Sequence, residues 1–97
     1  MIRAFADRRS RDVYHGENSR IARTFPILLH AKARRLLDKI DAAISPEVLR
    51  APPGNRLKRL KGEMSGYWSV RINDQWRIVF RWEGTDAFDI CITDYHD

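Results

Sequence analysis

Ninety-seven residues, 43% of them hydrophobic, suffice for one domain and leave no room for a second. The formal charge of +5 comes with a single cysteine, Cys91, which excludes an intramolecular disulfide and offers no metal-ligand spacing. The opening Met1-Ile2-Arg3-Ala4-Phe5-Ala6-Asp7 lacks the apolar run of a signal peptide and no segment has transmembrane length, so a cytoplasmic protein without membrane association is expected.

A chain of this size buries only about 60–65% of its unfolded surface, and three Trp, three Tyr and four Phe supply large apolar area from few positions. Residues 2 to 5 read as a short first strand. Asp7 is placed to N-cap a short helix running to Tyr14 and closed by Gly16. From Ser19 or Thr24 to Ile44 runs the clearest helix. Leu29, Ala33, Leu36, Leu37, Ile40 and Ile44 recur at three- and four-residue steps on one face, with Lys32, Arg34, Arg35, Asp38, Lys39 and Asp41 mostly on the other. Ser45-Pro46 ends it, because the residue before proline avoids the helical region.

Pro52-Pro53-Gly54-Asn55 is a rigid loop, after which the period changes from helical to alternating. Trp68, Val70 and Ile72 form one apolar row; Ile78, Phe80 and Trp82 with Trp76 form a second; Phe88, Ile90 and Ile92 form a third. Parity decides the register. A two-residue loop at Asn73-Asp74 would put Arg77 among the apolar residues. A three-residue loop, Asn73-Asp74-Gln75, pairs Val70 with Ile78 and Trp68 with Phe80. By the same argument a five-residue loop over residues 83 to 87 pairs Trp82 with Phe88, Phe80 with Ile90 and Ile78 with Ile92. The expected fold is α+β: helices packed on a twisted antiparallel sheet, in the order β-α-α-β-β-β.

Charge is distributed unevenly. Residues 20 to 61 hold eleven Arg/Lys against three acids, whereas from Gly84 onward there are four acids and no Lys or Arg. Such asymmetry suits a nucleic-acid or acidic-protein partner, as against a merely solvated helix. Four cations, Arg56, Lys58, Arg59 and Lys61, fall within six residues as the chain enters the sheet. On the sheet's open face Arg71 lies across from Arg77. Like charges directly opposite destabilise a sheet, so this pair either holds an anion, or splays into water or finds Asp94 or Asp89 as partners. His30 fits packing beside the helix stripe and His15 a turn. The chain closes on Asp94-Tyr95-His96, a carboxylate, a phenol and an imidazole of near-neutral pKa, read as proton-transfer groups or as a polar terminus. A metal-free ribonuclease needs such groups beside cations, since the RNA 2′-hydroxyl is itself the nucleophile. Arg77 and Lys61 would stabilise the phosphorane charge, and His96, assisted by Tyr95 or Asp94, would move a proton.

Pro52-Pro53-Gly54-Asn55-Arg56-Leu57, Leu60-Lys61-Gly62, Ser69-Val70-Arg71-Ile72-Asn73-Asp74-Gln75-Trp76-Arg77-Ile78 and the closing Asp94-Tyr95-His96 resemble the HigB toxins of the RelE/ParE superfamily. The likeness extends to Ile2-Arg3-Ala4-Phe5-Ala6-Asp7 and Ala33-Arg34-Arg35-Leu36-Leu37. It implies an endoribonuclease that cuts translated mRNA in the ribosomal A site without metal or other cofactor. It implies a HigA-type helix-turn-helix antitoxin, through whose complex alone operator DNA is met. Carried over by position, His96, Tyr95, Asp94 and Arg77 match the family's catalytic pattern with Lys61 contributing, and Arg71, Lys58, Arg56 and Arg59 are the expected substrate-binding residues. Relatives read Arg-Leu-His-Pro-Leu-Lys-Gly where this chain has Lys58 and Arg59 in place of His and Pro, which shifts acid/base work toward His96. In Gly66-Tyr67-Trp68, Tyr67 is placed either to stack on a base or to make a cross-strand contact. The rival readings are a ParE-like toxin that binds a protein such as DNA gyrase, and a basic RNA-binding module without catalysis.

Overall fold

In the computed structural model, which describes residues 1–94, Asp7 opens helix α1 (Arg8–Tyr14) as expected: its Oδ1 accepts the Ser10 N–H at 2.8 Å. Gly16, at φ 72°, turns the chain out of that helix. Helix α2 spans His30–Ala42, shorter at its start than the apolar periodicity predicts. Pro26 is the reason. It holds the preceding Phe25 in an extended conformation (φ −94°, ψ 134°), so residues Ala22–Thr24 and Ile27–Leu29 form separate 3₁₀ turns instead of helical turns. At the far end Ala43 is already extended, and Ile44, expected on the apolar stripe, lies beyond the helix and is exposed.

Four antiparallel strands follow in spatial order: β1 (Lys58–Arg59), β2 (Tyr67–Arg71), β3 (Trp76–Glu83) and β4 (Asp86–Asp94). The β2–β3 register is the one parity selects, with Trp68 opposite Phe80, Val70 opposite Ile78 and Arg71 opposite Arg77. Ile72 N–H donates to the Trp76 carbonyl at 2.8 Å, closing the expected three-residue loop. The β3–β4 register begins as expected, with Ile78 opposite Ile92 and Arg77 opposite Thr93, and then departs from it. A bulge lies between Val79 and Arg81, with Asp89 in the left-handed region at φ 54°. Beyond it Arg81 pairs with Phe88 and Trp82 with Ala87, so the connection is a tight turn at Gly84-Thr85 in place of a five-residue loop. Phe88 therefore sits on the open face with Arg81, whose guanidinium carbon is 4.7 Å from the ring centre. Ala87, fully buried, takes the core position expected of Phe88.

The same bulge governs the N-terminal segment. Residues 2 to 5 do join the sheet, but as two isolated parallel bridges, Ile2 to Ala87 and Phe5 to Ile90, separated where β4 bulges, so no continuous strand forms. Ile2 N–H also donates to Asp41 Oδ1 at 2.8 Å, tying this segment to α2. The core lies between the helices and one face of the sheet. It comprises Val13, Phe25, Leu37 and Ile40 against Val70, Ile78, Phe80, Ile90 and Ile92, all fully buried. Each such Ile, Leu or Phe contributes about 1.5–3 kcal/mol. Among the described residues no helix is long and apolar enough to cross a membrane.

One buried charge fastens the connection between the helices. Asp12 is fully buried, and its Oδ2 accepts the Ser19 hydroxyl at 2.6 Å. That hydrogen bond holds the carboxyl below the usual range against the opposing effect of burial, with Arg8 and Arg11 adding to the depression. A depressed folded-state pKa gives stability that is complete above the unfolded value, near 3.8, and is lost as pH falls through the folded value. We expect Asp12→Asn to lower the urea midpoint at pH 7, with the gap to the parent protein closing as pH falls below about 4. Urea titrations at pH 7, 5 and 3 measure this, and a pH-independent gap would rule out the ionised carboxylate as its source.

Candidate active site

The face of the sheet turned away from the helices carries Tyr67, Ser69 and Arg71 on β2, Arg77, Val79 and Arg81 on β3, and Cys91 and Thr93 on β4, as the register requires. Arg77 is fastened through its Nε and one of its Nη groups. Its Nε donates to Ser69 Oγ at 3.0 Å, and an Nη2 hydrogen bond reaches the Arg56 carbonyl at 2.7 Å. Ser69 is fully buried, so the hydroxyl cannot drift with solvent. Two hydrogen bonds on one planar guanidinium fix both its position and its plane.

The loop before β1 supplies the carbonyl. Asn55 is buried, and its Nδ2 donates to the Leu49 carbonyl at 3.1 Å and the Ala51 carbonyl at 3.3 Å, folding Pro52–Asn55 back on itself. Arg56 then adopts φ 44°, ψ 54°, a left-handed conformation that costs a non-glycine residue roughly 1–2 kcal/mol. Residues held in the left-handed region cluster at functional sites, which makes this loop a candidate for one. Beside it opens a cavity of about 430 Å³ lined by Pro53, Arg56, Leu57, Lys58 and Arg77. Three cationic residues line this mostly polar wall, a composition that suits an anion, for which Arg offers a planar fork and Lys a point charge.

The other expected residues are distributed as follows. Lys58 pairs with Ser69 and so shares the face of Arg77, whereas Arg59 pairs with Trp68 and lies over its indole at 5.6 Å. Arg59 thus covers Trp68 and does not line the cavity. Arg71 stands opposite Arg77 as expected but is ion-paired with Asp74, a partner absent from the sequence reading. Lys61 is exposed at the start of the Gly62–Met64 turn and does not line the cavity. Asp94 ends β4 opposite Trp76, which places it on the helix-side face, and its Oδ2 accepts from Gln75 Nε2 at 3.0 Å. Tyr95 and His96 lie outside the described residues.

Ser69 and the Arg56 carbonyl were missed at the level of sequence. A signal for the first existed: Ser69 is the diagonal cross-strand neighbour of Arg77, within reach of a long side chain. The second is backbone and leaves no residue-type signature. Cys91 is not a competing nucleophile. Burial and the nearby Asp7 carboxylate, to which its thiol donates at 3.4 Å, push its pKa up to about 11, so the thiolate is scarce at neutral pH.

A family model described as HigB-like toxin, the RelE-like toxin of the type II toxin-antitoxin system HigB, matches residues 3–96. The chain belongs to the HigB-like toxins. Toxin HigB-1 of Vibrio cholerae is 38% identical over 66 residues, covering 68% of this chain and 70% of that one. Endoribonuclease HigB of Proteus vulgaris is 42% identical over 41 residues, covering 42% of this chain and 45% of that one. Among solved structures, the YoeB–YefM complex from Staphylococcus aureus aligns with a TM-score of 0.62 over 100% of this chain and 99% of that one, at 20% identity. At that identity the likeness shows the fold alone.

For this HigB-like toxin the clasp on Arg77 makes a measurable claim. Arg77→Ala should weaken binding of a 2′-O-methyl oligoribonucleotide, a polyanion that resists cleavage, about tenfold and reduce the salt slope of log K by about one. The thermal midpoint should stay within a few degrees of the parent, because the side chain is only half-buried. Equal affinity and slope in the two proteins would remove Arg77 from the anion site.

Proposed function

We propose that this HigB-like toxin is an endoribonuclease, one domain over residues 1–97, that cuts mRNA on the ribosome without a metal ion. The single observation that carries the reading is the convergence of Arg56, Lys58 and Arg77 on one cavity, with Arg77 held by Ser69 and the Arg56 carbonyl. The name of the Proteus relative supports the same activity.

RNA cleavage by its own 2′-hydroxyl asks three things of a protein. The hydroxyl proton must leave, the phosphorane must be stabilised as charge grows on it, and the departing 5′-oxygen must receive a proton. Arg77 answers the second: a guanidinium already fixed in place pays no reorganisation during the reaction, and this is where electrostatic catalysis gains most. Lys58 and Arg56 add positive potential along the incoming backbone, and Lys61, on the adjoining turn, extends it. His96 is assigned the proton transfers, with Tyr95 or Asp94 assisting, since its ordinary pKa allows both protonation states at cellular pH. Arg71 steadies the flanking phosphate by exchanging Asp74 for it, an exchange that costs little because the Asp74 side chain is 94% exposed.

The partners in this reading are a HigA-type helix-turn-helix antitoxin, the ribosomal A site and its RNA, and the mRNA; operator DNA is met through the antitoxin complex only. The compartment is the cytoplasm. The basic stretch from residue 20 to 61 docks ribosomal RNA through phosphates, which position more than they specify.

The test maps 5′ ends of cellular mRNA after induction. Wild type should produce new ends within open reading frames, His96→Ala should lose about 10²–10⁴-fold of that activity, and Arg77→Ala about 10²–10³-fold. Residual cleavage of ribosome-free RNA by the purified protein should persist in excess EDTA, where no divalent ion is available. Growth arrest by His96→Ala with intact transcripts would replace the nuclease by the ParE-like reading, a toxin acting on a protein target.

A further inference from the structure

Beside the anion site, on the same open face, lies a second cavity of about 310 Å³, mostly apolar. Val79 and Cys91, a directly opposed pair, form its floor. Met64 and Tyr67 stand at its side, Thr93 at the end nearer Arg77, and Asp89 at the other end. Thr93 is the cross-strand partner of Arg77, and Val79 is two residues along from it, about 7 Å at strand rise. The cavity therefore adjoins the proposed scissile phosphate at the distance of a neighbouring group on the same RNA strand.

Two features make it more than a gap. The first is that Tyr67 is fixed: its hydroxyl donates to Asp89 Oδ2 at 3.2 Å, which holds the ring across the sheet. The second is the way Asp89 is held. It occupies the bulge position at φ 54°, and Arg81 Nε donates to the same Oδ2 at 3.1 Å. Both hydrogen bonds among the described residues fall on Oδ2, while the side chain remains 43% exposed, so Oδ1 is presented as an acceptor at the end of an apolar slot. Arg81 offsets the carboxylate charge, which lowers its repulsion of an incoming polyanion.

We infer that this cavity is a nucleobase subsite, in which an amino-bearing base (adenine, cytosine or guanine) stacks along Tyr67 and donates its exocyclic N–H to Asp89 Oδ1. The apolar floor accepts a base face, and an aromatic wall suits a single-stranded, unstacked base. A carboxylate reads an amino group, as it reads the cytosine N4 amine in other complexes. Uracil has no amino group, and its one Watson–Crick-edge N–H is flanked by two carbonyl oxygens whose repulsion from the carboxylate disfavours it. The inference deepens the nuclease reading above and rests on it: Arg77 places the phosphate, and Asp89 with Tyr67 chooses the base beside it.

The experiment compares base frequencies around cut sites, from the mapped 5′ ends, for wild type and Asp89→Asn. Asparagine tolerates the left-handed backbone at this position, so the bulge is kept, and its amide both donates and accepts, so uracil becomes acceptable. Wild type should show one fixed position near the cut where amino-bearing bases exceed uracil about tenfold. In Asp89→Asn that excess should fall below about threefold among the cuts that are made. Tyr67→Phe, which frees Oδ2 of the phenol but keeps the ring, should relax the preference in the same direction. Cuts with an unchanged base preference in both variants would overturn the subsite and leave the nuclease reading standing. So would loss of antitoxin binding in Asp89→Asn with unchanged base preference, since the cavity would then receive protein. No new ends from wild type would overturn the nuclease reading, and the subsite with it.

Discussion

The bulge at Asp89 is the constraint on which the rest of the open face depends. A regular β3–β4 ladder would continue the parity of Ile78 and Ile92 and send Phe88 into the core beside Phe80. The extra residue instead reverses the faces beyond Val79. Ala87 then fits under the helices, Phe88 moves out beneath Arg81, and Asp89 turns its carboxylate toward Tyr67 and Arg81. The same irregularity divides the pairing of the N-terminal segment into two bridges, Ile2 to Ala87 and Phe5 to Ile90. One left-handed residue thus fixes the end of the sheet, the path of the N-terminus and the polar end of a cavity. Bulges beside functional clefts re-aim side chains in this manner.

A second constraint is the pair of opposed arginines. Placed across from each other without partners, Arg71 and Arg77 would destabilise β2–β3. The molecule separates their roles. Arg71 meets Asp74, a carboxylate on the turn between the two strands, while Arg77 meets a buried hydroxyl and a main-chain carbonyl. The hydroxyl and the carbonyl orient the Arg77 guanidinium without themselves carrying charge.

Much of the fold was legible because its signals are periodic. The alternation of Trp68, Val70 and Ile72 with Ser69 and Arg71 has one register that keeps Arg77 out of the core, and that register is the one found. Asp7 and Gly16 delimit α1 by local chemistry alone. The errors fell where a single residue breaks a period. Pro26 shortened a helix that the apolar stripe alone extends, and the rule applied to Pro46 would have found it. The Asp89 bulge leaves almost no local trace, since an aspartate between Phe88 and Ile90 fits perfect alternation equally well. At the site, residue type pointed to Arg77, Arg56 and Lys58, which converge, but it could not tell that Arg59 turns to Trp68. The choice between Lys58 and Arg59 is set by the register of a two-residue strand, which parity cannot fix without its neighbour. The Asp94-Tyr95-His96 group was singled out by residue type and by resemblance, and of its members only Asp94 falls among the described residues.

The uneven charge of the sequence acquires a spatial meaning once the strands are ordered. Strand order follows chain order, so the cations of residues 56 to 61 gather at the β1 edge and Asp86, Asp89 and Asp94 lie on β4. A polyanion crossing such a sheet would be drawn toward one edge and turned from the other. The acidic edge, however, is largely compensated by contacts that the fold provides. Asp86 is paired with Arg3 at 3.2 Å and with the N-terminal amine at 3.5 Å, and Asp89 with Arg81 at 3.1 Å. The parallel N-terminal segment thus brings a cation to the acidic strand as well as capping its edge. What remains is a gradient shallow enough for a strand of RNA, in the proposed reading, to lie across the whole face. Phosphate would then be held hardest at the centre, where Arg77 is clasped, and bases would lie toward β4. Backbone contacts that position and edge contacts that specify would in this way fall to different strands of one sheet, and Arg77, paired with Thr93 across β3 and β4, is the residue at which the two halves would meet.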